Sequence, residues 1–206
     1  MALPKLYVII DKATLDARGV RVGEFARELR EAGVRLVQYR DKVSGPQEVL
    51  RRAAEIAEVF AGSGAMLILN DRVDLALLAG WGVHVGQGDM GPCDARKVLV
   101  SQIVGVSTHT DGQVCAAGLG CADYVAVGPV FATGSKADAE PVVGLEGVRR
   151  ARALTAKPLV AIGGITLQNA RSVVDAGADS VAVISGLFVK GRTVGEVVRD
   201  FLEVLR

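Results

Sequence analysis

Gln38, Arg40 and Lys42 alternate at the end of an apolar run containing Val34, Leu36 and Val37. In an extended backbone a period of two turns all three to one face. Two cations and an amide gathered beside a core are costly unless something anionic meets them, so a phosphate-bearing ligand is the natural expectation. Asp71 and Asp89 each follow a short apolar run, and two carboxylates at neighbouring strand ends are within reach of one hard cation. Magnesium is held in this way by one or two carboxylates, with water and substrate phosphates completing an octahedron. The alternatives are local: Asp71 as the cap of a helix starting at Arg72, and Asp89 as the start of a turn before Gly91-Pro92. Gly163-Gly164 and Ser185-Gly186 would let backbone N–H groups approach an anion closely, or serve simply as turns.

The elements that must position these groups repeat every twenty to thirty residues or so: a β-branched run, a polar or glycine-rich turn, then an amphipathic helix. The runs predict strands at Lys5–Ile10, through Leu36 to Arg40, and at Met66–Leu69, Gly82–Val85, Ile103–Val106, Tyr124–Val127, Pro158–Ile162 and Ser180–Val183. Helical stripes follow each, among them Val22–Leu29, Val49–Phe60, Val73–Leu78, Asp94–Val100, Asp111–Leu119, Leu167–Ala176 and Val194–Leu205. Eight strand–helix units over 1–206, without a linker or a break in composition, predict a single α/β domain, a closed (β/α)8 TIM barrel. An open doubly wound sheet is the alternative, but no GxGxxG follows the first strand. In a barrel the chemistry lies at the C-terminal strand ends, and the polar residues collect there: Asp11, Gln38 to Lys42, Asn70-Asp71, Gln87 and Asp89, Ser107 and His109, and Thr133 to Lys136.

Half of the 206 residues are hydrophobic and the net charge is +1, with both signs dispersed. Nucleic acid and membrane surfaces are therefore poor partner assignments, and small-molecule substrates are favoured. No signal-peptide core or membrane-length run is present, which gives a cytoplasmic expectation. Cys93, Cys115 and Cys121 are odd in number and lack CxxC spacing, so three free thiols in a reducing compartment are expected. The outer helices carry no extended heptad seam that would specify an oligomer, and a homo-oligomer is compatible with them. His84 reads as a barrel-lining histidine; His109 reads equally as an acid–base group or a polar loop residue. The segment Gly128 to Gly144 has the composition of a lid over an anion, or of a surface loop.

Taken in order, Gln38-Tyr39-Arg40-Asp41-Lys42, Asn70-Asp71, His84-Val85-Gly86-Gln87 with Asp89, Gly105-Val106-Ser107-Thr108-His109, Asp123-Tyr124 with Gly128-Pro129-Val130-Phe131, Thr133 with Ser135-Lys136, Ala161–Ile165 and Ile184-Ser185-Gly186 resemble the thiamine-phosphate synthase family along nearly the whole chain. The resemblance implies a barrel transferase that joins an aminopyrimidine diphosphate to a thiazole phosphate and releases pyrophosphate. By position it implies pyrimidine diphosphate contacts at Gln38, Tyr39, Arg40, Asp41, Lys42, Asn70, Ser107 and Lys136. It implies magnesium ligands at Asp71 and Asp89, and a thiazole phosphate cradle from Thr133, Gly134, Ser135, Gly164, Ile184 and Ser185. Arg40, Lys42, Ser107 and Lys136 would carry the catalysis. Pro141–Gly144 departs from the family pattern, which bears on loop closure or substrate breadth. A thiazole phosphate tautomerase and a non-catalytic, phosphate-binding regulatory barrel are the competing readings; the tautomerase would need neither the Asp71/Asp89 pair nor the full cation face, and fold alone does not exclude the regulatory barrel.

Overall fold

The computed structural model describes residues 2–134 and 141–206. Eight parallel strands, β1 (Leu6–Asp11), β2 (Leu36–Arg40), β3 (Met66–Asn70), β4 (Gly82–Val85), β5 (Val104–Thr108), β6 (Tyr124–Val127), β7 (Leu159–Ile162) and β8 (Ser180–Val183), pair in sequence order. β8 pairs back to β1 through Leu6↔Val181 and Val8↔Val183, closing the barrel as the repeat predicts. The outer ring is formed by α1 (Lys12–Asp16), α2 (Val22–Glu31), α3 (Pro46–Phe60), α4 (Val73–Ala79), α5 (Pro92–Val98), α6 (Asp111–Leu119), α7 (Gly144–Leu154), α8 (Ala170–Asp175) and α9 (Val194–Val204). No helix among the described residues is long and apolar enough to cross a membrane.

Alternation along each strand separates two cores. One side chain in two, such as Val8, Val37, Leu69 and Val181, packs outward against helix residues including Phe25, Ile56 and Phe201. The others, including Tyr7, Leu36, Ile68, Tyr124 and Val160, fill the barrel. The interior has room for the large Tyr124 ring only because its neighbour in register is Gly105. A Cβ on Gly105 would lie 2.0 Å from that ring.

The base of the barrel is stapled twice by the same device. Arg96 on α5 donates to the carbonyls of Leu99 and Gln102 and to Asp123, whose carboxylate also accepts the Val104 N–H at the start of β5. Arg152 on α7 likewise reaches the carbonyls of Thr155 and Lys157 and the Asp179 carboxylate, which accepts the Leu159 N–H of β7. Each Arg satisfies the orphan carbonyls at a helix end while its Asp fixes where the next strand begins.

Three expectations are corrected. Cys93 and Cys121 form a disulfide across 28 residues, leaving Cys115 as the free thiol among the described cysteines. Local spacing could not reveal it, because the approach is made by the start of α5 and the turn after α6, and the argument for three thiols in a reducing compartment falls with it. α5 starts at Pro92 rather than Asp94, since a proline at the first helical position needs no N–H partner there. α8 is shorter than Leu167–Ala176 because the Asn169 side chain accepts the Thr166 N–H and holds a turn in place of a first helical turn.

Gly105→Ala should be destabilising by about 1–3 kcal/mol through overpacking, lowering Tm by roughly 2–12 °C. Gly112→Ala, where a Cβ meets nothing within 4 Å, serves as the control in the same thermal melt and should not lower Tm.

Candidate active site

At the C-terminal end of β2, pleating turns Gln38 and Arg40 into the barrel and Tyr39 outward. Lys42 lies just beyond the strand. The cations do find anions, and the chain itself supplies them. Arg40 pairs with the buried carboxylate of Asp11 at the end of β1, directly opposite in register. Asp11 also accepts from the Thr14 N–H and hydroxyl, so the group that caps α1 holds Arg40 in place. Lys42 Nζ lies 2.8 Å from Asp71 Oδ2.

Asp71 does not cap α4, whose N-cap is Arg72 without a side-chain bond. It adopts a left-handed backbone, φ 62°, and its N–H donates to the His84 carbonyl, an arrangement that sends the carboxylate toward β4. Asp89 closes the turn after β4 by accepting the Gly86 N–H at 2.7 Å. The two carboxylates meet. Burial raises the Asp89 pKa, the Gly86 N–H opposes this, and the neighbouring Asp71 raises it again, with Lys42 partly offsetting the repulsion. Among the described residues no group of three or more His, Cys, Asp or Glu is arranged to hold a metal ion.

These groups line one cavity of about 110 Å³ with Asn70, His84 and Ser107. A second cavity of about 150 Å³ opens over β6 to β8, lined by Thr133, Gly164, Ile184 and Ser185. Gly163 and Gly164 have positive φ, and a Cβ on either would lie within 2.7 Å of Pro129, Phe131 or Ala132. Glycine is therefore demanded here by backbone approach, since Phe131 N–H donates to the Gly163 carbonyl. Asn169 Nδ2 donates to the Gly164 carbonyl and holds the turn from behind. Gly134 lines an adjoining outer recess with Thr133 and Ser185. The two inner cavities share a wall that includes Ser107, His109, Ile162 and Ile184. His109 Nδ1 lies 2.8 Å from the Gly128 carbonyl, so Nδ1 carries hydrogen and the other edge of the ring faces away from that bond.

Of the residues singled out in the sequence, Gln38, Arg40, Lys42, Asn70, Asp71, Asp89 and Ser107 come together in the first cavity, and Thr133, Gly164, Ile184 and Ser185 in the second. Tyr39 and Asp41 do not join them. Tyr39 donates to Asp41 Oδ2 on the outside of β2, and Asp41 Oδ1 accepts the N–H groups of Val43 and Ser44. The period of two that turns Gln38 and Arg40 inward turns these two outward, where they shape the β2–α3 loop. Ser135 and Lys136 lie outside the described residues. Sequence reasoning missed Asp11 as the partner of Arg40, although its position at the end of β1 was the available signal. It also missed Tyr7 and Asn169, for which an apolar strand and an ordinary turn gave none.

The family model for thiamine monophosphate synthase matches residues 6–187. The chain belongs to the thiamine monophosphate synthase family. A thiamine-phosphate synthase of Koribacter versatilis is 47% identical over 209 residues, covering 100% of this chain and 97% of that protein. One of Methanoregula boonei is 44% identical, covering 88% of this chain and 84% of the relative. The solved thiamine phosphate pyrophosphorylase of Pyrococcus furiosus superposes with a TM-score of 0.85 at 32% identity, covering 98% and 95% of the two chains.

Asp89→Asn removes the repulsion against Asp71 while leaving an oxygen for Gly86. Because the folded-state pKa is raised, Asp89 weakens the fold progressively as the pH rises from the ordinary carboxylate range through that pKa, and the penalty is complete above it. The variant should therefore melt higher than the wild type at neutral pH in metal-free buffer, with the advantage shrinking as the pH falls and Asp89 protonates. A pH series of thermal melts checks this.

Proposed function

We propose that the chain is a transferase that condenses 4-amino-2-methyl-5-(diphosphooxymethyl)pyrimidine with 4-methyl-5-(2-phosphooxyethyl)thiazole, giving thiamine phosphate and pyrophosphate. The observation that carries this reading is the pair of abutting cavities, one edged with cations and carboxylates and the other floored by glycine turns, with a shared wall where two substrates can touch. The pyrimidine diphosphate takes the first cavity, its ring between Gln38 and Ser107 and its diphosphate toward Arg40, Lys42 and Asn70. The thiazole phosphate takes the second, its phosphate against Gly164, Ile184 and Ser185, with Thr133 and Gly134 at the rim; Ser135, outside the described residues, is assigned to the same phosphate by the family resemblance.

The carbon–oxygen bond to the diphosphate breaks first, and its electron pair leaves with pyrophosphate. The aminopyrimidine ring donates electron density to the carbocation that remains. Arg40 and Lys42 stand where negative charge grows on the leaving group, and Asp11 keeps the Arg40 guanidinium from swinging away. Lys136, which lies outside the described residues, is assigned as a third cation by the family resemblance. The thiazole nitrogen then forms the new carbon–nitrogen bond with its lone pair, and no protein nucleophile is required. Anchoring its phosphate converts this into a reaction between neighbours.

Asp71 and Asp89 fit a magnesium ion: two carboxylates in contact, one with its pKa raised by burial and further by the other, are a donor set that a hard cation relieves. Bound there, magnesium would neutralise charge on the diphosphate oxygens. The substrates are small molecules, and a cytoplasmic setting suits them. A tautomerase is not favoured, since it would not use the charged cavity, and a regulatory barrel is not favoured by relatives that are themselves thiamine-phosphate synthases.

Single-turnover assays with both substrates should yield thiamine phosphate with magnesium and almost none with excess chelator. The Asp71→Ala, Asp89→Ala double variant should lose magnesium-dependent turnover, by about a hundredfold or more, while still binding thiazole phosphate. Full turnover in that variant would reject the metal assignment, and no product from the wild type would reject the reaction.

A further inference from the structure

Five polar side chains cross the barrel interior in one unbroken file. Gln38 Nε2 donates to the Tyr7 hydroxyl at 2.7 Å, and the Tyr7 and Tyr124 hydroxyls lie 3.0 Å apart. The Tyr124 hydroxyl lies 2.9 Å from His84 Nδ1, and His84 Nε2 lies 2.8 Å from Ser107 Oγ. The file spans from β2 to β5, the two strands whose polar ends face each other across the charged cavity. Tyr124 also stacks on the His84 ring, with centroids 5.5 Å apart, and meets Tyr7 edge to face.

The chemistry of the members gives the file a direction. An amide nitrogen only donates, and a phenol has one hydrogen. With Gln38 donating into Tyr7, the Tyr7 hydrogen goes to Tyr124 and the Tyr124 hydrogen goes to His84 Nδ1. The imidazole then carries its hydrogen on Nε2 and donates to Ser107, which leaves the Ser107 hydrogen for the cavity. At the opposite end the Gln38 amide offers its carbonyl oxygen. Burial pushes both phenols far above their ordinary pKa, so each stays a neutral donor. A reversed file would make Tyr7 accept from both Gln38 and Tyr124 and leave the Tyr7 hydrogen with no partner in the file.

We propose that Tyr7, Tyr124 and His84 are positioning residues whose directed hydrogen bonds hold Ser107 as a donor and the Gln38 carbonyl as an acceptor toward a bound heteroaromatic ring. A ring carrying both an amino group and a ring nitrogen offers the complementary pair. This rests on the synthase reading, in which the aminopyrimidine lies between β2 and β5. None of the three residues has to touch the reacting atoms. Their effect is to remove alternatives: a hydroxyl free to rotate and an imidazole free to change tautomer would spend time in arrangements that do not match the ring.

Long-range 15N–1H NMR of the histidines in the wild-type protein reads the direction without any assay. His84 should carry its hydrogen on Nε2 and a lone pair on Nδ1; hydrogen on Nδ1 would overturn the proposal. In Tyr124→Phe the Nε2 form should no longer be exclusive. Single-turnover product formation in that variant should fall by about tenfold or more, with affinity for thiazole phosphate within about twofold of wild type. His84→Gln, which can still accept from Tyr124 and donate to Ser107, should retain more activity than His84→Leu. Wild-type turnover in Tyr124→Phe, or equal loss in the two His84 variants, would overturn the proposal even if the NMR agreed. A wild type with hydrogen on Nε2 that makes no thiamine phosphate would support the directed file and reject only the synthase reading.

Discussion

A closed barrel of eight strands has an interior filled by side chains, and a polar group that enters it must bring its partner. Much of this structure follows from that constraint. Arg40 enters beside Asp11, Gln38 enters beside Tyr7, and His84 enters between Tyr124 and Ser107. Among the described residues one buried side-chain polar atom, Ser180 Oγ, lacks a partner. Space for the file is created elsewhere in the sequence, by Gly105 giving up its side chain to the Tyr124 ring. The apolar residues Ile9, Leu36, Ile68 and Val160 cluster with Tyr7 and Tyr124 in the barrel interior.

Above this floor the site divides by chemistry. Strands β1 to β4 contribute charge, in ion pairs that are complete enough to fold and incomplete enough to bind: Lys42 serves Asp71, while Asp89 meets Asp71 with a raised pKa. Strands β6 to β8 contribute backbone, exposed by glycines that the packing of Pro129 to Ala132 requires. β5 stands between them, and Ser107 and His109 belong to the walls of both cavities. On the proposed reading, this division keeps a leaving diphosphate and an arriving phosphate apart while the atoms to be joined are brought together.

The sequence shows the barrel plainly because strand and helix periods alternate without interruption, and three strands, Gly82–Val85, Tyr124–Val127 and Ser180–Val183, match residue for residue. The gathering of Gln38, Arg40, Lys42, Asn70, Asp71, Asp89 and Ser107 was legible for the same reason, since each stands at a C-terminal strand end. What stayed hidden depends on contacts between distant segments. Tyr7 and Tyr124 look like core aromatics until the barrel closes and sets their hydroxyls 3.0 Å apart. Cys93 and Cys121 become a pair only when α5 and the turn after α6 meet. Tyr39 and Asp41 show the opposite error: a continuous motif was read as one surface, whereas pleating divides it between two.

The central claim is that each cavity holds one half of the product. A crystal structure of the protein with thiamine phosphate, pyrophosphate and magnesium tests it directly. The account places pyrophosphate at Arg40 and Lys42 with the metal on Asp71 and Asp89, the pyrimidine ring between Gln38 and Ser107, and the thiamine phosphate group on Gly164 and Ser185. Pyrophosphate on the glycine turns, or a pyrimidine ring away from the β2–β5 floor, would contradict it.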